Sequence, residues 1–164
     1  MDKLGWNGPV YKYLKITISE FIESLEMHNQ RCINVNPSFL QIKAWETEYK
    51  ILQIELPLLL NENKNAADWY LVFEYELPRE RGRRPDILII TDDRIFIIEC
   101  KDMIKPQQQH IDQLKAYVRD LSNYHAGSHN VRFEPLLLMT FMSSTRESTQ
   151  GITIISPDRL HDTL

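Results

Sequence analysis

Two short apolar segments joined by two aspartates constrain this chain more than any other feature. Residues 85–91 and 94–101, PDILIIT and RIFIIECK, are apolar at successive positions and flank Asp92 and Asp93. Segments of this length joined by two turn residues predict a β-hairpin. Because both faces of each strand are apolar, both faces must be covered. The pattern therefore favours central strands of a sheet with helices on each side.

The predicted hairpin also determines which side chains meet. A two-residue turn places Leu88 opposite Ile97 and Asp86 opposite Glu99. Opposed side chains have Cβ atoms roughly 5 Å apart, and Lys101, two residues beyond Glu99, projects from the same face. Two carboxylates at this distance repel each other unless a cation or a proton lies between them. A hard divalent cation such as magnesium, which prefers oxygen ligands, would satisfy them.

Composition indicates one ordinary domain. The chain has 164 residues, of which 43% are hydrophobic and 26% charged, enough to bury a core and typical of soluble globular proteins. No apolar run is long enough to span a membrane, and residues 1–13 lack the pattern of a signal peptide, so we expect a cytoplasmic protein. The two cysteines are too few and too far apart to indicate a disulfide scaffold, zinc site or iron–sulfur cluster.

The net charge of −4 also limits function. A strong independent nucleic-acid binder usually carries an excess of lysine and arginine to neutralise phosphates. Any contact with nucleic acid is therefore expected to be local, or to be assisted by a partner.

Hydrophobic periodicity places further elements around the hairpin. Ser38 is a candidate N-cap for a helix over about residues 39–56 that ends at Pro57, and a second helix is expected over about 106–125. The remaining strands are predicted at 69–77, 135–141 and 151–156. The order is αβββαβ, which predicts an α/β fold with a mixed central sheet flanked by helices.

We expect three regions along the chain. Residues 1–37 form an N-terminal cap, residues 38–156 form the main domain, and residues 157–164 form a tail. The tail is either a natural end or the start of a truncated region.

The element order and two short motifs resemble the PD-(D/E)xK nuclease superfamily over residues 38–142. The motifs are Pro85-Asp86 and Glu99-Cys100-Lys101. The resemblance implies a restriction-endonuclease-like core and hydrolysis of DNA phosphodiester bonds with Mg²⁺ or Mn²⁺. It also implies that Asp86, Glu99 and the carbonyl of Cys100 bind the metal, and that Lys101 serves the attacking water. Lys101 either orients that water and stabilises the transition state, or acts as a base if burial lowers its pKa.

The second predicted helix carries another motif. Gln113 and Tyr117 are four residues apart and so project from the same side of the helix. This Gln-x-x-x-Tyr arrangement is similar to the motif of RecB-like nucleases, in which these residues face the active site and position the substrate strand. The resemblance makes both residues catalytic candidates. The alternative is a helix rim on which glutamine is solvated and tyrosine packs.

The first predicted helix offers a further acidic ligand. Related nucleases use a glutamate there to complete a metal position, and Glu46 is the candidate because it borders the apolar face. Glu48 and Glu55 are expected to lie further round the helix. Glu74 is a rival acid, with pairing to an arginine as its alternative.

Arginines cluster immediately before Asp86. Guanidinium groups suit phosphate oxygens, so Arg81, Arg83 and Arg84 are candidates for nucleic-acid binding. A salt-bridged surface loop is the alternative.

The longer strings FEYELPRERGRRPDILII, ECKD and AYVRDLSNYHAGSH resemble the N-terminal nuclease segment of bacterial helicase–nuclease proteins. The chain has no GxxxxGK[ST] loop and therefore no NTPase site of that kind. The resemblance implies DNA as the substrate and a helicase region or partner. The alternatives are a nucleic-acid binding or docking module with negligible cleavage, and a ribonuclease.

Overall fold

The computed structural model describes residues 4–77, 83–124 and 131–164, and within them a mixed seven-stranded sheet is flanked by helices. The helices are α1 Val10–Tyr13, α2 Ile18–Ile33, α3 Phe39–Glu62 and α4 Gln108–Tyr124. The strands are β1 Asn7–Pro9, β2 Tyr70–Phe73, β3 Ile87–Ile90, β4 Arg94–Lys101, β5 Arg132–Met139, β6 Arg146–Thr149 and β7 Ile152–Ile155.

The sheet order is β1-β2-β3-β4-β5-β7-β6. Strand β5 runs parallel to β4 and to β7, and the other neighbouring pairs are antiparallel. Helix α4 makes the long connection that a parallel pair such as β4 and β5 needs. The predicted α/β fold with a mixed sheet is confirmed and is consistent with a restriction-endonuclease-like core.

The predicted hairpin is confirmed in position and register. Leu88 pairs with Ile97 and Ile90 with Ile95. The residues on either side of the turn at 92–93 are joined by a backbone hydrogen bond of 3.0 Å. The first strand is shorter than predicted, because the ladder begins at Ile87 rather than at residue 85.

Alternating side chains along the central strands divide the core into two layers. Even-numbered residues of β4 and β5, such as Phe96 and Leu136, pack with α2 and α3 on one face. Odd-numbered residues, such as Ile97 and Leu137, pack with α4 on the other. This is why both strands read as continuously apolar in the sequence.

Helix α3 is longer than predicted. The side chain of Ser38 accepts a hydrogen bond from the backbone N–H of Gln41 at 3.2 Å, as expected of an N-cap. The prediction that Pro57 ends the helix is wrong, because the helix continues to Glu62. Leu56 and Leu59 lie on either side of the proline and are both buried in the core. Their packing offsets the backbone hydrogen bond that a proline cannot donate.

Strands β1, β2 and β6 also depart from the sequence prediction. Strand β2 ends at Phe73 instead of residue 77, because Glu74 has the left-handed backbone angle φ 52°. Strands β1 and β6 were not predicted. β1 has three residues, and β6 is polar and mostly exposed, so neither carries a hydrophobic pattern. No described helix has the length and apolar character needed to cross a lipid bilayer.

Described segments near both ends of the sequence pack against the central elements. Tyr13, Phe21 and Leu25 are fully buried beside the sheet. At the other end, Leu160 is fully buried and Nδ1 of His161 lies 2.7 Å from Oε2 of Glu55 on α3. Domain boundaries at residues 37 and 156 stay predictions.

The contact between His161 and Glu55 predicts a pH-dependent stability. The hydrogen bond from Glu55 raises the pKa of His161, and the charge of Glu55 adds to this effect. A group with a raised pKa in the folded state stabilises the fold below its ordinary value of 6.5, and this stabilisation fades as pH rises through the folded pKa. Wild type should therefore exceed His161→Gln in unfolding free energy at about pH 6, by less than about 1 kcal/mol because His161 is partly exposed.

Urea unfolding of both proteins from about pH 6 to about pH 9 tests this prediction. The difference should shrink toward the alkaline end. Repeating the comparison in a Glu55→Gln background provides the control, since the pH dependence should vanish there. A difference that grows with pH would contradict the assignment.

Candidate active site

Asp86 lies immediately before β3, at the sheet end where the antiparallel strand β4 finishes. Its Oδ2 accepts a hydrogen bond of 2.8 Å from the backbone N–H of Cys100, which ties the carboxylate to β4. Burial raises the pKa of Asp86 well above its usual range, and the charges of Glu99 and Glu74 raise it further. This end of the hairpin therefore holds a carboxyl group whose charged form is disfavoured.

Glu99 and Lys101 share one face of β4, as the alternation of a strand predicts. Nζ of Lys101 lies 2.8 Å from Oε1 of Glu99. Glu99 is buried, and burial raises its pKa. Burial also disfavours the charged form of Lys101, but the charge and hydrogen bond of Glu99 outweigh it and raise the lysine pKa. A raised pKa favours the electrostatic role for Lys101 and argues against the alternative of a lysine base.

Gln113 connects Glu99 to helix α4. Its Nε2 donates to Oε1 of Glu99 at 2.8 Å and to the hydroxyl of Tyr117 at 2.7 Å. The hydroxyl of Tyr117 donates in turn to the backbone carbonyl of Arg84 at 2.9 Å. Gln113 and Tyr117 thus project from the same side of α4 toward the site, as predicted. Tyr117 is buried, but its hydroxyl also makes hydrogen bonds. It therefore does more than pack on the rim of the helix, which was the alternative.

Helix α3 brings a different glutamate to the site from the one expected. Glu48, and not Glu46, joins the site: ligand atoms of Glu48, Asp86 and Cys100 all lie within 4.8 Å of one another. Glu48 comes three residues after Trp45 and four before Leu52, both buried, so helical geometry turns it inward. That spacing was readable in the sequence, but Glu48 was placed too far round the helix.

Cys100 contributes its Sγ to this group. Burial raises the pKa of its thiol well above the usual range, and the charges of Glu48 and Asp86 add to the effect. The thiol is therefore held in its neutral form. A role for the Cys100 carbonyl as a metal ligand stays a prediction.

Glu74 and Arg84 form a buried structural pair beside the site. Nη1 of Arg84 lies 3.3 Å from Oε2 of Glu74 and donates to Oδ1 of Asn29 at 3.2 Å. The indole N–H of Trp45 donates to the other oxygen of Glu74 at 2.8 Å. This matches the alternative in which Glu74 pairs with an arginine. The Arg84 guanidinium is therefore engaged inside the protein, and nucleic-acid binding by Arg84 stays a prediction.

The other arginine candidates lie nearer the surface or outside the described residues. Nη2 of Arg83 is 3.7 Å from Oδ2 of Asp120, and its guanidinium lies 5.8 Å from the centre of the Tyr117 ring. Arg81 lies outside the described residues. Nucleic-acid binding by Arg83 and Arg81 stays a prediction.

The acids fit a hard divalent cation. Glu48 and Glu99 each have a buried oxygen without a hydrogen-bond partner in the part of the chain that the structure describes. Unpartnered buried carboxylate oxygens are costly unless a cation or proton compensates them. Carboxylates beside a neutral thiol favour an oxygen-seeking ion over one that needs a thiolate. The arrangement can hold such an ion next to the ammonium group of Lys101.

A family comparison agrees with this geometry. The family model of the nuclease-related domain (NERD) matches residues 43–140, more than half of the chain. The chain belongs to the nuclease-related domain family. No curated protein matches the chain. The match is consistent with a PD-(D/E)xK-like nuclease, and its range spans the acids, Lys101 and the motif on α4.

The repulsion among buried acids in this nuclease-related domain predicts that Glu48→Gln raises stability in the absence of divalent metal. Burial and the charge of Asp86 raise the pKa of Glu48 well above its usual range, so its ionisation is disfavoured in the fold. The substitution removes this carboxyl group and keeps the side-chain size, so the unfolding free energy should rise by roughly 1 kcal/mol. Thermal unfolding in a chelating buffer measures this effect. Glu46→Gln on the same helix is the matched control and should leave stability nearly unchanged.

Adding Mn²⁺ should make wild type more stable than the Glu48→Gln variant. A ligand that binds only the folded state stabilises it, so wild type should gain more than the Glu48→Gln variant. An equal gain for both proteins would show that Glu48 does not contribute to metal binding.

Proposed function

We propose that this nuclease-related domain hydrolyses DNA phosphodiester bonds with Mg²⁺ or Mn²⁺ as its cofactor. The observation that carries the proposal is the position of Glu99: one carboxylate oxygen is held by both Lys101 and Gln113, and the other is buried without a partner among the described residues. A carboxylate held in this way is positioned before a ligand arrives. Such preorganisation is what a hydrolytic site requires.

Asp86, Glu99 and Glu48 would hold the cation. When bound, a divalent ion supplies charge neutralisation at the phosphate and makes a water molecule easier to deprotonate. The contact between Cys100 N–H and Asp86 fixes one ligand through the backbone of β4. Glu48 approaches from α3, so the ligands converge from different elements.

Lys101 would act as a fixed positive charge. Its ammonium group lies 2.8 Å from Glu99 and remains partly exposed, so an incoming phosphate can reach it. In this role the lysine orients the attacking water and stabilises negative charge that develops on the phosphate. Its raised pKa keeps it protonated at neutral pH, as this role needs.

Gln113 and Tyr117 would position Glu99, in keeping with the resemblance to RecB-like nucleases. The chain of hydrogen bonds from Glu99 through Gln113 and Tyr117 ends on the backbone of Arg84, two residues before Asp86. It thereby joins the two metal-binding strands through α4.

DNA as the substrate and a helicase as the partner are the finer parts of this proposal. Both derive from the resemblance to bacterial helicase–nuclease proteins. The net charge of −4 agrees with a need for assistance in holding nucleic acid. Adding a helicase and its DNA substrate should therefore increase cleavage by this chain more than cleavage by an unrelated nuclease.

Substituting Lys101 tests the proposed reaction. Labelled single- and double-stranded DNA and RNA are incubated with wild type and Lys101→Ala in Mg²⁺, Mn²⁺ or chelator. We expect metal-dependent cleavage by wild type and a loss of roughly 10²–10³-fold in the variant, the usual cost of removing one preorganised charge at the reacting group. Lys64→Ala is the control, because Lys64 is exposed and lies before β2, at the sheet end that carries the hairpin turn.

Each alternative function has its own outcome in this experiment. Cleavage of RNA alone would establish a ribonuclease. A folded wild type that binds DNA but does not cut it would favour the docking module. Cleavage that survives Lys101→Ala would contradict the assigned site.

The positioning role of Gln113 has a separate test. Removing a residue that orients a metal-binding carboxylate typically costs 10–100-fold in activity or metal affinity. Gln113→Ala should therefore weaken Mn²⁺ binding, measured by calorimetry, and should lower cleavage by a similar factor. Gln108→Ala on the same helix is the control, since Gln108 instead hydrogen-bonds to Asp112 and Gln150. Unchanged metal affinity in Gln113→Ala would contradict the role.

A further inference from the structure

Two large apolar side chains are exposed at the sheet end that carries the acids. Ile104 and Phe141 are 65% and 64% exposed. Ile104 follows β4 by three residues and Phe141 follows β5 by two. Because Lys101 pairs with Met139 at the ends of these parallel strands, both apolar groups lie beside the candidate active site.

The backbone holds both side chains in place. The N–H of Met142 donates to the carbonyl of Met139 at 3.1 Å, which closes a turn with Phe141 inside it. Met139 is fully buried and Met142 packs against the same core layer. Met103, next to Ile104, also packs there, and its N–H bonds to the carbonyl of Lys101 at 2.9 Å. The core therefore anchors the turns but leaves Phe141 and Ile104 in solvent.

These side chains line a shallow hollow of about 450 Å³ that adjoins the active site. Lys105, Gln107 and Asp102 complete its rim. Asp102 also lines the smaller hollow of about 90 Å³ that contains Glu48 and Lys101. The hydroxyl of Thr140 donates a hydrogen bond to Asp102. The apolar hollow and the acid site thus adjoin each other at Asp102.

We propose that Phe141 stacks on an unpaired nucleobase, with Ile104 as the adjoining wall, so that the substrate class is single-stranded nucleic acid. This inference rests on the proposed function, which places a phosphate at Lys101. The next base along the strand would then lie over the adjoining hollow, with Lys105 on its rim. Stacking on an aromatic ring needs an exposed base face, and bases inside a duplex do not offer one.

The geometry favours a nucleobase over a protein partner as the occupant. The hollow is small, adjoins the acid site at Asp102, and has both an aromatic ring and lysines on or beside its rim. Base stacking on an aromatic side chain tolerates any base sequence. A protein partner instead needs a larger apolar surface.

Binding assays separate this inference from catalysis. A short fluorescent single strand and the matching duplex are titrated with protein in a Glu99→Gln background, which slows cleavage, and anisotropy is recorded. Phe141→Ala should weaken binding of the single strand about 5- to 150-fold and leave duplex binding unchanged. Phe141→Tyr keeps the ring and should retain affinity. Phe141→Leu keeps apolar character without the ring and should lose affinity like alanine.

Two controls keep the result interpretable. Ile54→Ala removes a similarly exposed apolar group from α3 and should not change binding. Thermal unfolding should be the same for all Phe141 variants, because the side chain is outside the core.

The inference is overturned if Phe141→Ala leaves single-strand binding intact, if single strand and duplex weaken equally, if leucine restores affinity, or if the parent protein binds neither. Restoration by leucine would indicate an apolar docking surface for a protein. A chain that binds single strands through Phe141 but never cuts would contradict the proposed reaction alone. A chain that cuts normally after Phe141→Ala would contradict the stacking alone.

Discussion

Burial of several carboxylates at one end of the sheet is the constraint on which the rest of the site depends. Each buried acid has a different set of hydrogen-bond partners. Asp86 accepts the N–H of Cys100, and Glu99 is held by a lysine and a glutamine. Glu74 has both oxygens occupied, by Trp45 and by an arginine. Among the described acids at this end of the sheet, Glu48 and Glu99 each keep one buried oxygen without a hydrogen-bond partner, whereas both oxygens of Glu74 are occupied.

The two-layer core explains how groups from distant parts of the sequence reach one point. Period-two alternation on β4 sends Glu99 and Lys101 toward α4 and Cys100 toward α3. Asp86, at the end of β3, lies between the two sides. Helix α3 adds Glu48 to one layer, and α4 adds Gln113 to the other. The site is therefore assembled across the end of the sheet.

Much of this arrangement could be predicted because the signals are local. The hairpin register follows from a two-residue turn, and the shared face of Gln113 and Tyr117 follows from a spacing of four residues in a helix. The errors have physical causes as well. Pro57 is a strong local signal for the end of a helix, but the buried leucines on either side outweigh it. Glu46 and Glu48 are two residues apart and so project about 200° apart around α3. Glu48 faces inward with the buried Trp45 and Leu52.

The sequence by itself determined the central hairpin, its register, the acids and lysine on it, and the shared face of Gln113 and Tyr117. These features depend on alternation, helical spacing and turn length, which act over a few residues. That α4 faces the site was implied by the resemblance to RecB-like nucleases. Tertiary structure decided which glutamate of α3 reaches Asp86, that Arg84 pairs with Glu74, and that Phe141 stands exposed beside Lys101. Such outcomes depend on how separate elements pack, because burial and pairing energies are fixed only when all partners are in place.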